Sequence, residues 1–160
     1  MIIFINGSIN SGKSTVGRLL AKELNFEFVE FDDIRNTISE PDIDKALPLV
    51  FTKGIELLNQ LHKSNKSIIV AYPLSLKNYN LLKSKLLITP KVITLSPRLE
   101  VVLKDRGERK LEEAERERIK YHYKIGINNP SFGDIIDNSD ISIEETVNKA
   151  REIINNYQDK

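Results

Sequence analysis

Eight residues near the start of the chain have the types and the spacing of a phosphate-binding site. Residues 7–14 read GSINSGKS, which matches the pattern G-x-x-x-x-G-K-[ST]. Gly7 and Gly12 can take backbone angles that a Cβ would forbid, and they let the main chain come close to a ligand. Successive N–H groups and the positive end of a following helix then form an anion site. The pattern therefore predicts binding of a nucleoside triphosphate, and we call residues 7–14 the P-loop.

The polar side chains of the P-loop have distinct expected tasks. Lys13 is expected to reach the β- and γ-phosphates, and the Ser14 hydroxyl is expected to bind Mg²⁺. Thr15 follows directly and is a candidate for a contact near the α-phosphate. The full set that we expect to hold the nucleotide is Gly7, Asn10, Ser11, Gly12, Lys13, Ser14 and Thr15.

The flanking sequence predicts the strand and the helix that such a loop requires. An apolar run of β-branched and aromatic residues precedes the loop, as in a strand buried on both faces. Apolar residues recur at helical spacing after it. Strand-like runs fall at about 2–6, 26–31, 67–72, 91–95 and 134–137, with helical patterns between them. This alternation predicts an α/β fold with three layers (α/β/α) around a parallel sheet.

Three helix boundaries can be predicted from local signals. One helix is expected to start near Pro48 and another at Pro97, because proline is well tolerated in a first turn. Ser142 and Glu145 have the spacing of a capping box, which predicts a C-terminal helix after residue 142.

Composition narrows the function classes. A chain of 160 residues and 18.3 kDa fits one domain, which we expect to span residues 1–160. Lys+Arg 24 against Asp+Glu 23 gives no global case for nucleic-acid binding. The absence of cysteine excludes disulfides and cysteine-based metal sites. No apolar stretch approaches the roughly 20 residues that cross a bilayer, and no signal peptide is evident. We expect a cytoplasmic protein, monomeric or homodimeric, without membrane or nucleic-acid partners.

Two adjacent carboxylates follow the second predicted strand. Open parallel sheets bind ligands beyond the carboxyl ends of their strands, which is where Asp32 and Asp33 fall. We expect Asp32 to orient an acceptor hydroxyl, take its proton or hold a magnesium-bound water. Asp33 is the alternative, although it also suits a helix cap. Arg35 is either a clamp for a polar acceptor or a surface cation, and the residues leave both open.

An arginine-rich segment follows the fourth predicted strand. Residues 104–120 read KDRGERKLEEAERERIK, and one interpretation without a catalytic role is a solvent-exposed helix with ion pairs between its side chains. We favour a small helical lid at about 105–118, whose arginines stabilise the charge of a transferring phosphoryl group. Arg106 and Arg109 are the preferred catalytic residues, ahead of Arg116 and Arg118.

Two further polar features carry weaker expectations. His62 and His122 have no partner pattern typical of a metal site or a triad, so both are expected to be structural or surface residues. Residues 137–140, DNSD, are expected to form a loop that either borders a nucleobase or serves only as a turn.

These residues together resemble the small P-loop kinases, a group that includes shikimate kinase, gluconate kinase, adenylylsulfate kinase and chloramphenicol phosphotransferase. GSINSGKSTVGRLLAKEL is similar to the opening of shikimate kinases, Asp32 matches the acceptor-side aspartate of the group, and RGER before a charged helix looks like its lid. The resemblance implies a P-loop NTPase fold with a five-stranded parallel sheet, and it implies ATP and Mg²⁺ as cofactors.

The departures from this group concern the acceptor. Shikimate kinases carry a glycine-rich motif after the third strand, where this chain has AYPLSL. Their D-x-D after the second strand appears here as Glu30-Phe31-Asp32. EFDDIR is similar to a stretch of adenylylsulfate kinases, and residues 106–137 look somewhat like the chloramphenicol phosphotransferase branch. The resemblance therefore names no acceptor.

The leading hypothesis is an ATP-dependent phosphotransferase that moves the γ-phosphoryl group to a hydroxyl of a small metabolite or drug. One alternative is a nucleotide or adenylylsulfate kinase, which would need an additional anion clamp, and Arg35 and Lys53 are the inviting residues for it. The other alternative is a regulatory nucleotide-binding module with little phosphotransfer.

Overall fold

A computed structural model describes residues 1–105 and 110–158 of the chain. Its centre is a five-stranded sheet, and each neighbouring pair of strands is parallel. The strands are β1 (Ile2–Asn6), β2 (Glu27–Glu30), β3 (Ile68–Ala71), β4 (Lys91–Leu95) and β5 (Asp134–Ile136). Their order across the sheet is β2-β3-β1-β4-β5, so the strand that leads into the P-loop lies in the middle. The predicted parallel sheet is confirmed.

The described residues form seven helices. They are α1 (Lys13–Leu24), α2 (Phe31–Asn36), α3 (Ile43–Lys63), α4 (Leu76–Lys85), α5 (Leu99–Val102), α6 (Glu113–Lys124) and α7 (Ile143–Gln158). Because the strands are parallel, the loops that lead from a strand into the next helix lie at the carboxyl edge of the sheet.

Alternate residues of the central strands enter two separate cores. Ile2 and Phe4 of β1 belong to the core that includes residues of α3 and α4, whereas Ile3 and Ile5 belong to the core that includes residues of α1 and α7. All four side chains are completely buried. A strand covered on both faces needs apolar residues at every position, which explains the continuous apolar run in the sequence. The three-layer arrangement is therefore confirmed.

The second strand is shorter than predicted because the chain turns into a helix at Phe31. Its side chain is fully buried, and its ring lies 5.9 Å from the Phe4 ring and 5.2 Å from the Tyr72 ring, between centroids. A Cβ at Gly54 of α3 would lie 2.5 Å from the same ring, so only glycine lets α3 come this close. Phe31 thus anchors the first turn of α2, and with it Asp32, directly to the core.

The prediction that a helix starts at Pro48 was wrong. Pro48 lies inside α3, which begins at Ile43. The Asp42 side chain accepts a hydrogen bond from the Asp44 N–H and caps the helix, and Ala46 is completely buried. Capping and burial offset the one backbone hydrogen bond that proline cannot donate.

Of the other two predicted helix boundaries, one was wrong and one is confirmed. Pro97 does not open its helix, because α5 starts at Leu99 after Arg98 and is only four residues long. The capping box at the C-terminal helix is confirmed, with Ser142 N–H donating to Glu145 and Glu145 N–H donating to the Ser142 hydroxyl.

Candidate active site

The P-loop adopts the backbone that its glycines permit. Gly7 has a φ of +148°, and a Cβ there would lie 2.8 Å from the Leu95 carbonyl oxygen. Gly12 has a φ of +92° and directly precedes α1, where it forms the N-terminal cap. Asn10 takes the left-handed conformation as well, with a φ of +64°. The strand, loop and helix that the pattern requires are therefore all present.

Lys13 and Ser14 lie at the first turn of α1 and face different partners. The Lys13 ammonium donates to the Ser8 carbonyl oxygen at 3.3 Å, so it rests against the P-loop itself. The Ser14 hydroxyl donates to a carboxylate oxygen of Glu30, the last residue of β2. The other oxygen of Glu30 accepts from Arg18 at 2.6 Å. Arg18 in turn lies over the Phe28 ring, 4.5 Å from its centroid.

Glu30 contacts the P-loop although the sequence analysis did not select it as a site residue. Asp32 on the metal side stays a prediction, whereas the Ser14 hydroxyl donates to Glu30. Its place in Glu30-Phe31-Asp32, where shikimate kinases have D-x-D, was the available signal. The longer glutamate side chain carries its carboxylate one methylene further from the strand than aspartate would.

Asp32 and Asp33 lie side by side in α2 but act in different surroundings. Asp32 is exposed. Burial raises the pKa of Tyr72, the negative charge of Asp32 raises it further, and the positive charge of Arg118 opposes them. Asp33 lines a separate cavity of about 400 Å³ together with Glu30 and Lys53. The charge of Asp32 therefore acts on Tyr72, the residue that follows β3, whereas Asp33 lines the cavity that contains Lys53.

Arg35 has a structural task in this fold. Its two terminal nitrogens donate to the carbonyl oxygens of Ile38, at 3.0 Å, and Glu40, at 2.9 Å. The guanidinium therefore holds the connection between α2 and α3. Lys53 lines the cavity that contains Asp33. Arg35 is not among the residues that line this cavity.

The preferred lid residues Arg106 and Arg109 lie outside the described part of the chain. Within the described part, Arg116 donates to the Leu103 carbonyl oxygen and to Asp105, the latter at 3.0 Å. Arg118 is exposed; its charge opposes the rise in the pKa of Tyr72 and, after burial, contributes to the lowered pKa of His122. Of these two arginines, Arg118 is the one whose charge acts on Tyr72, which follows β3, and on His122 of α6.

His122 lies against the P-loop, and no sequence pattern indicated this position. It is 7% exposed, and its Nδ1 is 3.2 Å from the Ser8 hydroxyl. Burial, together with the charges of Arg118 and Lys13, lowers the pKa of His122 to about 4. The imidazole is therefore neutral at physiological pH.

A cavity of about 620 Å³ extends from the P-loop toward α7. P-loop residues and Thr15 form one side, and Asn138, Ser139 and Ile141 form the other. Asn138 donates to the Ser11 carbonyl oxygen at 3.0 Å, which ties the loop after β5 to the P-loop. This placement suits the expectation that residues 137–140 border a nucleobase.

Two buried oxygens at this cavity have no hydrogen-bond partner among the described residues. They are Ser11 Oγ and Asn138 Oδ1. Buried polar atoms are normally paired, so these two are exceptions among the described residues. The glycine-built loop and the Lys13 ammonium fit the phosphates of a nucleoside triphosphate.

One buried amide holds the framework behind the site. Asn6, at the end of β1, donates to the Thr94 hydroxyl at 3.0 Å and to the Ile127 carbonyl oxygen at 3.1 Å. Its Oδ1 accepts from the Leu74 N–H at 2.7 Å. The carboxyl ends of β1 and β4 are thereby joined to the loops that follow β3 and α6.

Two negative findings concern the described residues alone. They contain no group of three or more histidine or acidic side chains arranged to hold a metal ion by themselves. None of their helices combines the length and the apolar character needed to span a membrane.

Comparison with known proteins places the chain near one family. A family model described as shikimate kinase matches residues 9–155. A shikimate kinase from Haemophilus influenzae is 25% identical over 165 residues, which cover 98% of this chain and 90% of that protein.

Solved structures show the same fold at lower identity. A sugar kinase from Janibacter sp. has a TM-score of 0.75 at 16% identity and covers 96% of this chain and 93% of its own. A gluconokinase from Sinorhizobium meliloti has a TM-score of 0.73 at 17% identity, covering 99% and 97%. These two likenesses establish the architecture, a P-loop fold around a parallel sheet.

Proposed function

Because the chain belongs to the shikimate kinase family, it is an ATP-dependent kinase of a small molecule with a hydroxyl group, and we propose the residues that carry out the transfer. The family generally uses ATP with Mg²⁺. The observation that carries the assignment is the contact between Ser14 and Glu30. Glu30 directly precedes α2, and Asp32 is the second residue of that helix. The contact joins the first turn of α1 to the end of β2, and we assign the metal side to this pair and the acceptor side to Asp32.

The phosphates are assigned to the P-loop and α1. Its backbone N–H groups and the N-terminus of α1 offer donors and a positive potential to the phosphate oxygens. Lys13 is assigned to the β- and γ-phosphates. To reach them, its ammonium gives up the hydrogen bond to the Ser8 carbonyl oxygen. The cavity beside Asn138 and Ser139 is assigned to the nucleobase.

The metal side is assigned to Ser14 and Glu30. Hydroxyl and carboxylate oxygens are the hard ligands that Mg²⁺ prefers, and these two lie in direct contact. When bound, Mg²⁺ offsets negative charge on the phosphate oxygens. Arg18 holds the Glu30 carboxylate in place through a charged hydrogen bond at 2.6 Å.

The acceptor side is assigned to Asp32, with arginines supplying positive charge. Asp32 orients the acceptor hydroxyl and takes its proton as the oxygen attacks. Arg118 stabilises the charge that develops on the transferring group. Arg106 and Arg109 are assigned to the same task from the segment between α5 and α6.

The acceptor class follows from what surrounds Asp32. A nucleotide acceptor would need an anion clamp there, and the Arg35 guanidinium is already engaged by two carbonyl groups. A small polyhydroxylated molecule needs no such clamp. We therefore assign the acceptor to small polyhydroxylated molecules rather than to nucleotides.

The test is release of ADP from Mg·ATP by the pure protein in the presence of candidate acceptors. The panel contains shikimate, gluconate, neutral sugars, phenicol-type and aminoglycoside drugs, nucleosides and nucleotides. Stimulation by one polyhydroxylated class, lost in Asp32→Asn, would support the assignment. Stimulation by a nucleoside monophosphate alone would overturn the acceptor class, and stimulation by none would overturn the proposed transfer.

Glu30→Gln is expected to lower the affinity of the enzyme for Mg²⁺. The amide keeps the size of the side chain but lacks the charge that a hard cation prefers, so half-maximal activity should need about 10-fold more Mg²⁺. The measurement is ADP release titrated with Mg²⁺ at fixed ATP.

Glu27→Gln is the matched control for this change. Glu27 lies on the same strand, is exposed and pairs with Lys66 at 3.4 Å, away from Ser14. Its Mg²⁺ titration should match that of the unmodified protein. An unchanged titration in Glu30→Gln would remove Glu30 from the metal side.

A further inference from the structure

The helix that carries Arg118 also carries a buried histidine on the same face. Arg118 and His122 are four residues apart in α6, so their side chains lie one above the other. Arg118 is exposed, whereas His122 is 7% exposed. The same face of α6 thus carries an exposed cation, Arg118, and a buried side chain, His122.

His122 is fixed there by the P-loop itself. Its Nδ1 is 3.2 Å from the hydroxyl of Ser8, which is 1% exposed. The two residues are 114 positions apart in sequence, so the contact joins distant parts of the chain. A hydrogen bond between two buried side chains is strong and directional, because no water competes for either group.

Ser8 is contacted on its other side by the phosphate-binding lysine. Its carbonyl oxygen accepts from the Lys13 ammonium at 3.3 Å. One residue of the P-loop therefore touches Lys13 through its backbone and α6 through its side chain. Any shift of α6 is transmitted to the residue on which Lys13 rests.

A second P-loop side chain holds the opposite end of the same segment. The amide of Asn10 donates to the carbonyl oxygens of Val102 and Lys104, each at 2.9 Å, where α5 ends. The P-loop thus contacts Val102 and Lys104 through Asn10 and contacts His122 of α6 through Ser8. Both anchors belong to the loop that binds the phosphates.

We propose that His122 is a positioning residue for phosphoryl transfer. Its hydrogen bond to Ser8 fixes α6 against the P-loop and so holds Arg118 where the charge of the transferring group develops. This inference rests on the proposed function of Lys13, Asp32 and Arg118. His122 does not touch the reacting atoms in this arrangement, and it acts only through the position of α6.

The first test compares two substitutions of His122. Leucine fills the space but removes the hydrogen bond, whereas the asparagine amide can place a polar atom near the position of Nδ1. His122→Leu is expected to lower kcat by about 10-fold with the KM for ATP changed by less than about 3-fold, because a misplaced group costs rate rather than binding. His122→Asn should restore kcat to within about 3-fold of the unmodified protein.

The second test is a double-mutant cycle with Arg118→Ala. If His122 acts through Arg118, the loss of kcat caused by Arg118→Ala should shrink from about 10-fold or more to less than about 3-fold in the His122→Leu background. Additive losses, or equal losses in His122→Leu and His122→Asn, would overturn the proposal. A purely structural role would lower the unfolding midpoint without this coupling.

Two additional variants keep the result interpretable. His62→Leu is the matched control, since His62 is in the last turn of α3, away from the P-loop, and kcat should not change. Ser8→Ala removes the same hydrogen bond from the smaller partner, and it replaces His122→Leu in the cycle if that variant does not fold. Asp32→Asn separates the two levels of failure: full transfer in that variant refutes the proposed function, whereas its loss together with additive His122 and Arg118 effects refutes only the role of His122.

Discussion

Lys13→Ala is expected to lower ATP-dependent turnover by about 100-fold or more while the fold stays intact. Lys13 is the first residue of α1, and its ammonium is assigned to the β- and γ-phosphates. Without it, negative charge on the transferring group is no longer offset at this point. Turnover at saturating Mg·ATP and the affinity for ATP are the quantities to measure.

Lys22→Ala is the matched control for this prediction. Lys22 lies in the last turn of the same helix and is exposed, so turnover should be unaffected. The thermal unfolding midpoint of both variants should stay close to that of the unmodified protein. Turnover that survives in Lys13→Ala would refute the assignment of the P-loop.

Asp32→Asn is expected to reduce phosphoryl transfer by about 100- to 10,000-fold and to leave nucleotide binding unchanged. Asparagine keeps the size and the hydrogen-bonding shape of the side chain but cannot take a proton from the acceptor. The carboxylate that contacts the Ser14 hydroxyl is that of Glu30, not that of Asp32. Transfer is measured with the acceptor found in the panel, and binding is measured by calorimetry with Mg·ATP.

Asp33→Asn provides the comparison one residue away. Asp33 lies in the cavity with Lys53, so its substitution should leave transfer within about 3-fold of the unmodified protein. The opposite pattern, with transfer lost in Asp33→Asn and kept in Asp32→Asn, would exchange the roles of the two acids.

Most of the fold could be predicted because its signals are local. The strand of apolar residues before the P-loop and the capping box of Ser142 and Glu145 depend on neighbours in sequence. Pro48 misled the prediction because its effect is decided by tertiary packing: burial of Ala46 carries α3 past the proline to an earlier start. The second strand ended early for a similar reason, since burial of Phe31 requires the chain to turn.

The site residues also differ in whether local sequence or tertiary packing reveals them. The P-loop could be recognised because its function resides in eight consecutive residues. Glu30 and His122 could not be recognised in this way, because their partners Ser14 and Ser8 are 16 and 114 positions away in sequence. The signal for Glu30 was its place in Glu30-Phe31-Asp32, which has meaning only beside the D-x-D of shikimate kinases. His122 in a charged helix has no distinguishing pattern until the fold brings Ser8 against it.

Asn6 has a consequence for the order in which the protein becomes competent to bind. Its three hydrogen bonds close loops of 68, 88 and 121 positions, the last one to the loop that follows α6. Such long-range contacts form late, because each requires the intervening chain to be collected first. The framework behind the phosphate site is therefore complete only once the chain as far as Ile127 has folded into place, long after the P-loop itself has been synthesised.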